Sequence, residues 1–225
     1  MNIIRIGTCV PGQAAEKLLP HLIQAGFECV SLNFHMEFPE KDLSTYWEKV
    51  RPLLEDSPVQ VSSIGFYCNP LENEAQRQTL EHFIDNAHLF GTHLVTTFAG
   101  ALEGQPVEKA MPRYQEVFGE LARRAEANGV RLAIENCPMD GTWNQATCNI
   151  AFNPRAWECM FDAVPSEAIG LEWEPAHQMV QLIDPLPQLE QWAGRIYHLH
   201  GKDATLHTDR VQKWGVFGAC TFAEP

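Results

Sequence analysis

The sequence lacks a long apolar run and a basic surface. No segment approaches the roughly 18 consecutive apolar residues that a transmembrane helix requires, so no membrane span is expected. The 225 residues carry 16 Lys and Arg against 29 Asp and Glu, which gives a net charge of −13 with no basic cluster. Because nucleic acids and anionic membranes attract basic surfaces, this charge argues against both as partners.

Paired cysteines are also lacking. The seven cysteines are scattered and form no C-x-x-C pair, at positions 9, 29, 68, 137, 148, 159 and 220. Such a set predicts neither a disulfide framework nor a structural zinc site. The first residues, MNIIRIGTCV, have no basic stretch ahead of an apolar one, as a secretory signal would. We therefore expect reduced thiols and a cytoplasmic location.

Short apolar segments alternate with longer amphipathic ones along the whole chain. The strand-like segments are residues 3–9, 29–34, 59–67, 93–100, 130–136, 168–177 and 195–200. The helical segments are residues 13–27, 41–57, 72–91, 106–129, 153–164 and 184–194. This alternation predicts an α/β protein with a parallel sheet covered by helices. No linker divides the chain, so we expect a single domain over residues 1–225.

Two parallel folds are compatible with this alternation, an open doubly wound sheet and a (β/α)₈ TIM barrel. No G-x-G-x-x-G or G-x-x-x-x-G-K-[ST] motif follows a strand, which disfavours the nucleotide-binding open sheets. Reactive residues instead cluster at the carboxyl ends of several strands, as in a TIM barrel. Only 22 residues follow Asp203, and we expect no further helix and strand there. The barrel therefore lacks its eighth strand, or this chain stops short of its natural end.

Three late strands end in residue types that bind metals. These residues are Glu135 on one strand, Glu172, Glu174 and His177 on the next, and His198, His200 and Asp203 on the last. A carboxylate beside a buried strand is costly unless it is paired or bound to a cation. Mixed carboxylate and imidazole ligands suit Mn²⁺, Co²⁺, Zn²⁺ or Fe²⁺ better than Ca²⁺. The pattern predicts one divalent metal ion.

These strand ends resemble a known family. GVRLAIENCP, IGLEWEPAH and IYHLHGKDA are similar to the strand-end motifs of the xylose isomerase-like TIM barrels, the sugar phosphate isomerase/epimerase group. VSSIGFYCNP and LVTTFAG resemble the third and fourth strand ends of that family, so the resemblance covers nearly the whole chain. The motifs are specific for the superfamily and much less so for a substrate.

The resemblance implies a metal bound by a Glu, an Asp, a His and a final Glu. The first Glu matches Glu135 and the His matches His200. The Asp position is Glu174 here, one methylene longer, within Glu-Pro-Ala-His. The final Glu belongs to the eighth strand, which this sequence does not contain. Glu172 shares a strand face with Glu174 and is an alternative ligand.

The implied chemistry is interconversion of a carbonyl and a hydroxyl on a sugar or polyol through an enediolate. Glu135 would bind the metal and also remove the proton beside the carbonyl, and His177 would contact and polarise a substrate oxygen. The other expected substrate contacts are Lys202, Asn69 and Trp173. His198 and Asp203 would orient His200 from outside the ligand set. Alternatively, Lys202 and Asp203 form a surface pair, and Trp173 packs in the core.

Other functions remain open at this point. Dehydration of an inosose-type polyol uses the same enediolate chemistry on the same barrel. A metal-dependent apurinic endonuclease would need more metal ligands and a basic face for DNA, which the charge of −13 opposes. A sugar-binding relative without catalysis would account for the Asp-to-Glu change and the missing strand. Members of the family often form dimers or tetramers, so a homo-oligomer is compatible with the resemblance.

Overall fold

The protein is built around one sheet whose strands follow one another in chain order. A computed structural model describes residues 4–223, so residue 3 of the first predicted strand lies outside the described residues. The sheet strands are β1 (Gly7–Pro11), β2 (Cys29–His35), β3 (Gln60–Tyr67), β4 (Leu94–Thr97), β5 (Arg131–Glu135), β6 (Ile169–Trp173) and β7 (Ile196–Leu199). Each pairs in parallel with the next. This order confirms the predicted parallel sheet.

Helices connect the strands and cover the sheet. They are α1 (Ala15–Gln24), α2 (Leu43–Leu54), α3 (Glu74–Asn86), α4 (Val107–Asn128), α5 (Pro154–Ala163), α6 (Pro175–Met179), α7 (Pro185–Trp192) and α8 (Thr208–Trp214). The repeated β-α order and the curled seven-stranded sheet are those of a TIM barrel without its eighth strand. The predicted fold class is therefore confirmed.

Capping residues set where several helices begin and end. Asp42, Asn73 and Asn153 precede α2, α3 and α5, and each side chain accepts a hydrogen bond from a main-chain N–H of the first turn. These bonds satisfy donors that a helix start otherwise leaves unpaired. Gly129 ends α4 with φ of +64°, a conformation that glycine adopts without strain.

The core lies between the sheet and the helices. All of β6 and the first six residues of β2 are buried, as expected for parallel strands covered on both faces. The long helix α4 contributes Phe118 and Leu121, and α5 contributes Trp157, each at most 1% exposed. Burial of such side chains is worth roughly 1.5–3 kcal/mol each and holds the helices against the strands.

The structure differs from the sequence-based expectation at β6. We predicted a strand over residues 168–177, but β6 ends at Trp173 and Glu174 precedes the short helix α6. Pro175 explains the difference because it has no N–H for the sheet and suits the first position of a helix. The change of direction places His177 on a helix rather than on the strand.

The end of the chain also differs. We expected no helix or strand after Asp203, but α8 lies there between two short strands, β8 (Thr205–Leu206) and β9 (Phe222–Ala223). These two strands pair with each other in antiparallel fashion, apart from the main sheet. Within residues 4–223, no strand joins β7 to β1, so both edges of the main sheet are open. No helix in this range is long and apolar enough to cross a membrane.

Candidate metal centre at the carboxyl ends of β5 to β7

The parallel register brings the predicted ligands together. Glu135 at the end of β5 lies opposite Glu172 of β6, which in turn lies opposite His198 of β7. One step further along, the His200 N–H donates to the Trp173 carbonyl at 2.9 Å, which continues the pairing past the end of β7. Side chains from three consecutive strands therefore meet at one end of the sheet, as the active-site residues of TIM barrels do.

His200 lies at the centre of this group. Its Nδ1 is 3.2 Å from Glu174 Oε2 and 3.5 Å from Glu135 Oε1. These are the three residues that the sequence predicts as metal ligands. His200 and Glu135 are largely buried, with 15% and 13% of their side chains exposed. The structure thus gathers two carboxylates around one imidazole nitrogen.

Hydrogen bonds hold the main chain of Glu174 in place, whereas one oxygen of its carboxylate has ion-pair contacts only. Asn136 donates to the Glu174 carbonyl at 2.9 Å and accepts from the Glu174 N–H at 2.8 Å. Glu174 Oε1 lies 3.1 Å from His177 Nε2 and 3.3 Å from Lys202 Nζ. Nevertheless, this buried oxygen has no hydrogen bond of good geometry among the described residues. It is an acceptor that faces the cluster and can still take a ligand bond.

Glu172 is the most deeply buried acid of the cluster, with no exposed surface. Its Oε1 lies 2.7 Å from His198 Nδ1 and 3.1 Å from His200 Nε2. Both histidines therefore face the same side of β7, as the sequence predicted. Its Oε2 accepts a hydrogen bond from the Tyr67 hydroxyl at 2.7 Å, and Tyr67 in turn accepts one from Thr96 at 3.0 Å.

Two contacts of the cluster were missed by the sequence analysis. Tyr67 is the last residue of β3, and its hydroxyl bonds to Glu172. Cys9 of β1 lies 3.4 Å from His200 Nε2 on the side away from Glu174. Cys9 lies in the middle of β1 and Tyr67 at the carboxyl end of β3. The sequence does not reveal which residue either one contacts across the barrel.

The cluster forms one wall of a large cavity inside the curled sheet. The cavity has a volume of about 1110 Å³ and is lined along the two sheet edges by residues 4–9 and 197–202. Glu135, Glu174 and Lys202 also face it, together with His35 and Asn33 from β2. A cavity of this size has room for a sugar beside the cluster.

The charges of the cluster depend on one another. Burial raises the pKa of Glu135 above its ordinary value. Burial has the same effect on Glu172, but hydrogen bonds from His198 and His200 outweigh it and lower the pKa of that carboxyl. Burial opposes a charge on His200, whereas its contacts with Cys9 and the three carboxylates raise its pKa well above the usual range. In the absence of a metal, the imidazolium is therefore the cation that the acids surround.

The donor set fits a divalent cation. Ligand atoms of Glu135, Glu174 and His177 lie within 4.8 Å of one another, and His200 Nδ1 faces the same two carboxylates. A second group with this spacing consists of Glu172, His198 and His200. Carboxylates combined with imidazoles suit Mn²⁺, Co²⁺, Zn²⁺ or Fe²⁺. Such an ion would also bond Glu174 Oε1, which has no hydrogen bond within residues 4–223.

The other predicted residues lie nearby but have different contacts. The Asn69 side chain accepts a hydrogen bond from the Ala101 N–H at 3.0 Å, which ties together the segments that follow β3 and β4. Trp173 is 3% exposed and packs in the hydrophobic core. The Asp203 carboxylate accepts from the adjacent Ala204 N–H at 2.8 Å. Lys202 is the predicted substrate contact that lines the cavity.

Comparisons with known proteins identify the family. The model of the family described as xylose isomerase-like TIM barrel matches residues 20–219. The chain therefore belongs to this family, as its strand-end motifs predicted. No curated protein sequence matches the chain significantly.

Solved structures share the fold at low sequence identity. L-ribulose 3-epimerase is 17% identical, with 92% of this chain and 71% of that one covered and a TM-score of 0.67. The probable 3-DHS dehydratase AsbF from Bacillus anthracis is 14% identical, with 90% and 74% covered and a TM-score of 0.67. D-allulose 3-epimerase from Methylomonas sp., in complex with D-allulose, is 13% identical, with 89% and 73% covered and a TM-score of 0.67. At these identities the likeness is one of fold.

Proposed function

We propose that the protein is a divalent-metal-dependent isomerase or epimerase of a sugar or sugar phosphate. The proposal rests on the contact of Glu135 and Glu174 with His200 at the carboxyl end of the barrel. Beside them lies a buried Glu174 oxygen that has no hydrogen bond in the part of the chain that the structure describes. A bound Mn²⁺, Co²⁺, Zn²⁺ or Fe²⁺ would polarise a substrate carbonyl and offset the negative charge that develops on its oxygen.

The surrounding side chains have distinct tasks in this proposal. Glu135 removes the proton from the carbon beside the carbonyl, which leaves an enediolate, and returns it to the neighbouring carbon in an isomerisation. An epimerisation returns the proton to the other face of the same carbon, which requires a second acid there. His177 holds a substrate oxygen from the middle of α6. Lys202 binds a hydroxyl or a phosphate at the cavity wall.

The comparisons support a sugar as the substrate class and leave the reaction open. Several structural neighbours are named as epimerases of ketoses, and one is bound to D-allulose. Another is named as a probable dehydratase, which is the reaction class of the alternative function. All seven cysteines are free, which fits action in a reducing cytoplasm.

Solvent isotope exchange tests the proposal. The Mn²⁺-loaded protein is incubated in deuterium oxide with D-allulose, D-fructose or L-ribulose, and the sugars are followed by proton NMR. We expect conversion of at least one ketose, with deuterium at the carbon that exchanges its proton. Glu135→Gln should slow this by at least roughly 100-fold, because the amide cannot accept the proton.

A matched variant and two other outcomes complete this test. Glu167 is exposed and precedes β6 at its opposite end, so Glu167→Gln should convert the sugars like the wild type. Neither conversion nor deuterium uptake with any ketose or ketose phosphate would contradict the proposal. Loss of water from a keto-polyol, without isomerisation, would assign the dehydratase reaction instead.

A further inference from the structure

We propose that Glu172 is a positioning residue which, held by Tyr67, directs Nδ1 of His200 toward the metal. This inference rests on the proposed function and deepens it. It concerns an acid that the sequence offers only as an alternative ligand. Glu172 already has contacts with His198, His200 and Tyr67, and its contact with His200 is at Nε2.

Most of the acceptor capacity of Glu172 is used by protein groups. A carboxylate oxygen has two lone-pair directions, and Oε1 is shared by His198 Nδ1 at 2.7 Å and His200 Nε2 at 3.1 Å. Oε2 accepts from the Tyr67 hydroxyl at 2.7 Å. A metal bound directly by this carboxylate would compete with these bonds in a site that has no exposed surface. Direct ligation is therefore the less favourable arrangement.

The same bonds determine which nitrogen of His200 is available. Both ring nitrogens face carboxylates, but a cation between Glu135 and Glu174 takes the place of a proton on Nδ1. The remaining proton then stays on Nε2, where it faces the Glu172 carboxylate, which only accepts hydrogen bonds. Nδ1 then carries the lone pair once the ring is neutral. It faces Glu174 Oε2 and Glu135 Oε1, the two carboxylates of the proposed metal site. A carboxylate that bonds the far nitrogen of a ligand histidine commonly fixes the ring and strengthens the metal bond.

Tyr67 holds Glu172 from across the barrel. Tyr67 is 2% exposed, and its hydroxyl accepts from Thr96 while it donates to Glu172, so its proton has a single direction. The ring is tightly packed on the side of Gly65, because a Cβ on Gly65 would lie 2.5 Å from Thr96 Oγ1 and 2.7 Å from the Tyr67 ring. Tyr67 therefore has little freedom to move away from Glu172.

Zinc binding separates positioning from direct ligation. The zinc dissociation constant of the full chain is measured by competition with a chromogenic chelator for the wild type, Glu172→Gln and Tyr67→Phe. We expect weaker binding by roughly 10–100-fold in Glu172→Gln and by about tenfold in Tyr67→Phe. If Glu172 were a ligand, loss of the Tyr67 hydroxyl would free Oε2 and leave binding equal or tighter, which would overturn the proposal. Tyr114→Phe is the matched control, because the buried Tyr114 hydroxyl has no hydrogen-bond partner among the described residues.

Nitrogen-15 NMR of the zinc-loaded chain provides a second measurement that does not depend on activity. We expect the metal on Nδ1 of His200 and a slowly exchanging proton on Nε2, and faster exchange of that proton in Tyr67→Phe. Zinc on Nε2 would overturn the positioning proposal and leave the metal-dependent function standing. A wild-type chain that binds no metal would overturn the proposed function and this inference together.

Discussion

Asn149 joins the ends of two strands beside the candidate metal centre. Its side-chain oxygen accepts from the N–H groups of Ala99 and Ala151, at 3.0 and 3.2 Å. Its amide nitrogen donates to the carbonyls of Glu135 and Cys137, at 2.9 and 2.7 Å. The residue is completely buried, so no water replaces these bonds when the side chain is removed. It keeps the main chain of Glu135 in place without touching the Glu135 carboxylate.

We predict that Asn149→Ala lowers the free energy of unfolding by about 3 kcal/mol, because it leaves several buried main-chain groups without a partner. Urea denaturation at neutral pH measures this change. Asn128 also bonds through its amide, but at the exposed end of α4, and Asn128→Ala should change stability by less than about 0.5 kcal/mol. Equal effects of the two substitutions would contradict the role assigned to Asn149.

The residues of the candidate site could be predicted from the sequence, whereas several of their contacts could not. Side-chain alternation and the carboxyl ends of parallel strands indicate a larger group of acids and histidines. The family resemblance then implies Glu135, Glu174 and His200 as the metal ligands within that group. Tyr67 and Glu172 are 105 positions apart, and their bond depends on how the sheet curls. The same applies to Cys9 and His200, which meet across the two edges of the sheet. Curvature is a property of the whole sheet, and no local pattern specifies it.

At the scale of elements, α2 illustrates how one charge starts a helix. Asp42 Oδ1 accepts from the Thr45 N–H and the Ser44 hydroxyl, both at 2.8 Å. Bonding to the main chain of Thr45 lowers the pKa of Asp42 from its usual 3.8 to about 2, the largest effect, and the Ser44 bond adds to it. The negative charge also lies at the positive end of the helix.

The lowered pKa of Asp42 predicts a pH dependence. The folded state favours the ionised acid, so its stabilisation is complete above pH 3.8 and is lost as the pH falls toward about 2. Asp42→Asn keeps an oxygen for the cap but has no charge to lose. We expect the wild type to melt at a higher temperature than this variant near neutral pH, and the difference to shrink below pH 3.8. A difference that stays constant down to about pH 2 would contradict this explanation.

Element boundaries were predictable where a local residue fixes them. Asn153 followed by Pro154 marks the start of α5, and Gly129 marks the end of α4. Pro175 gives an equally local signal for the end of β6, but the alternation of apolar and acidic residues from Leu171 to Glu174 extends the predicted strand past it. The segment after Asp203 forms strands of only two residues each. Such short strands have too few residues to show an alternation.

At the scale of the whole molecule, the site depends on a sheet that curls without closing. Cys9 of β1 touches His200 beyond β7, while no strand within residues 4–223 joins those two edges. The cavity of about 1110 Å³ is lined along both edges, and Glu135 of β5 and Glu174, which follows β6, face into it. The buried negative charges of the cluster thus require cations, and in the chain alone His200 and Lys202 supply them.

Bound-metal stoichiometry tests the central claim most directly. The wild type, the double variant Glu135→Gln with His200→Ala, and the control Glu167→Gln are reconstituted with Mn²⁺, Co²⁺, Zn²⁺ or Fe²⁺, desalted and measured by elemental analysis. The account predicts about one ion per chain in the wild type and the control, and almost none in the double variant. No bound ion in the wild type, or an undiminished content in the double variant, would contradict it.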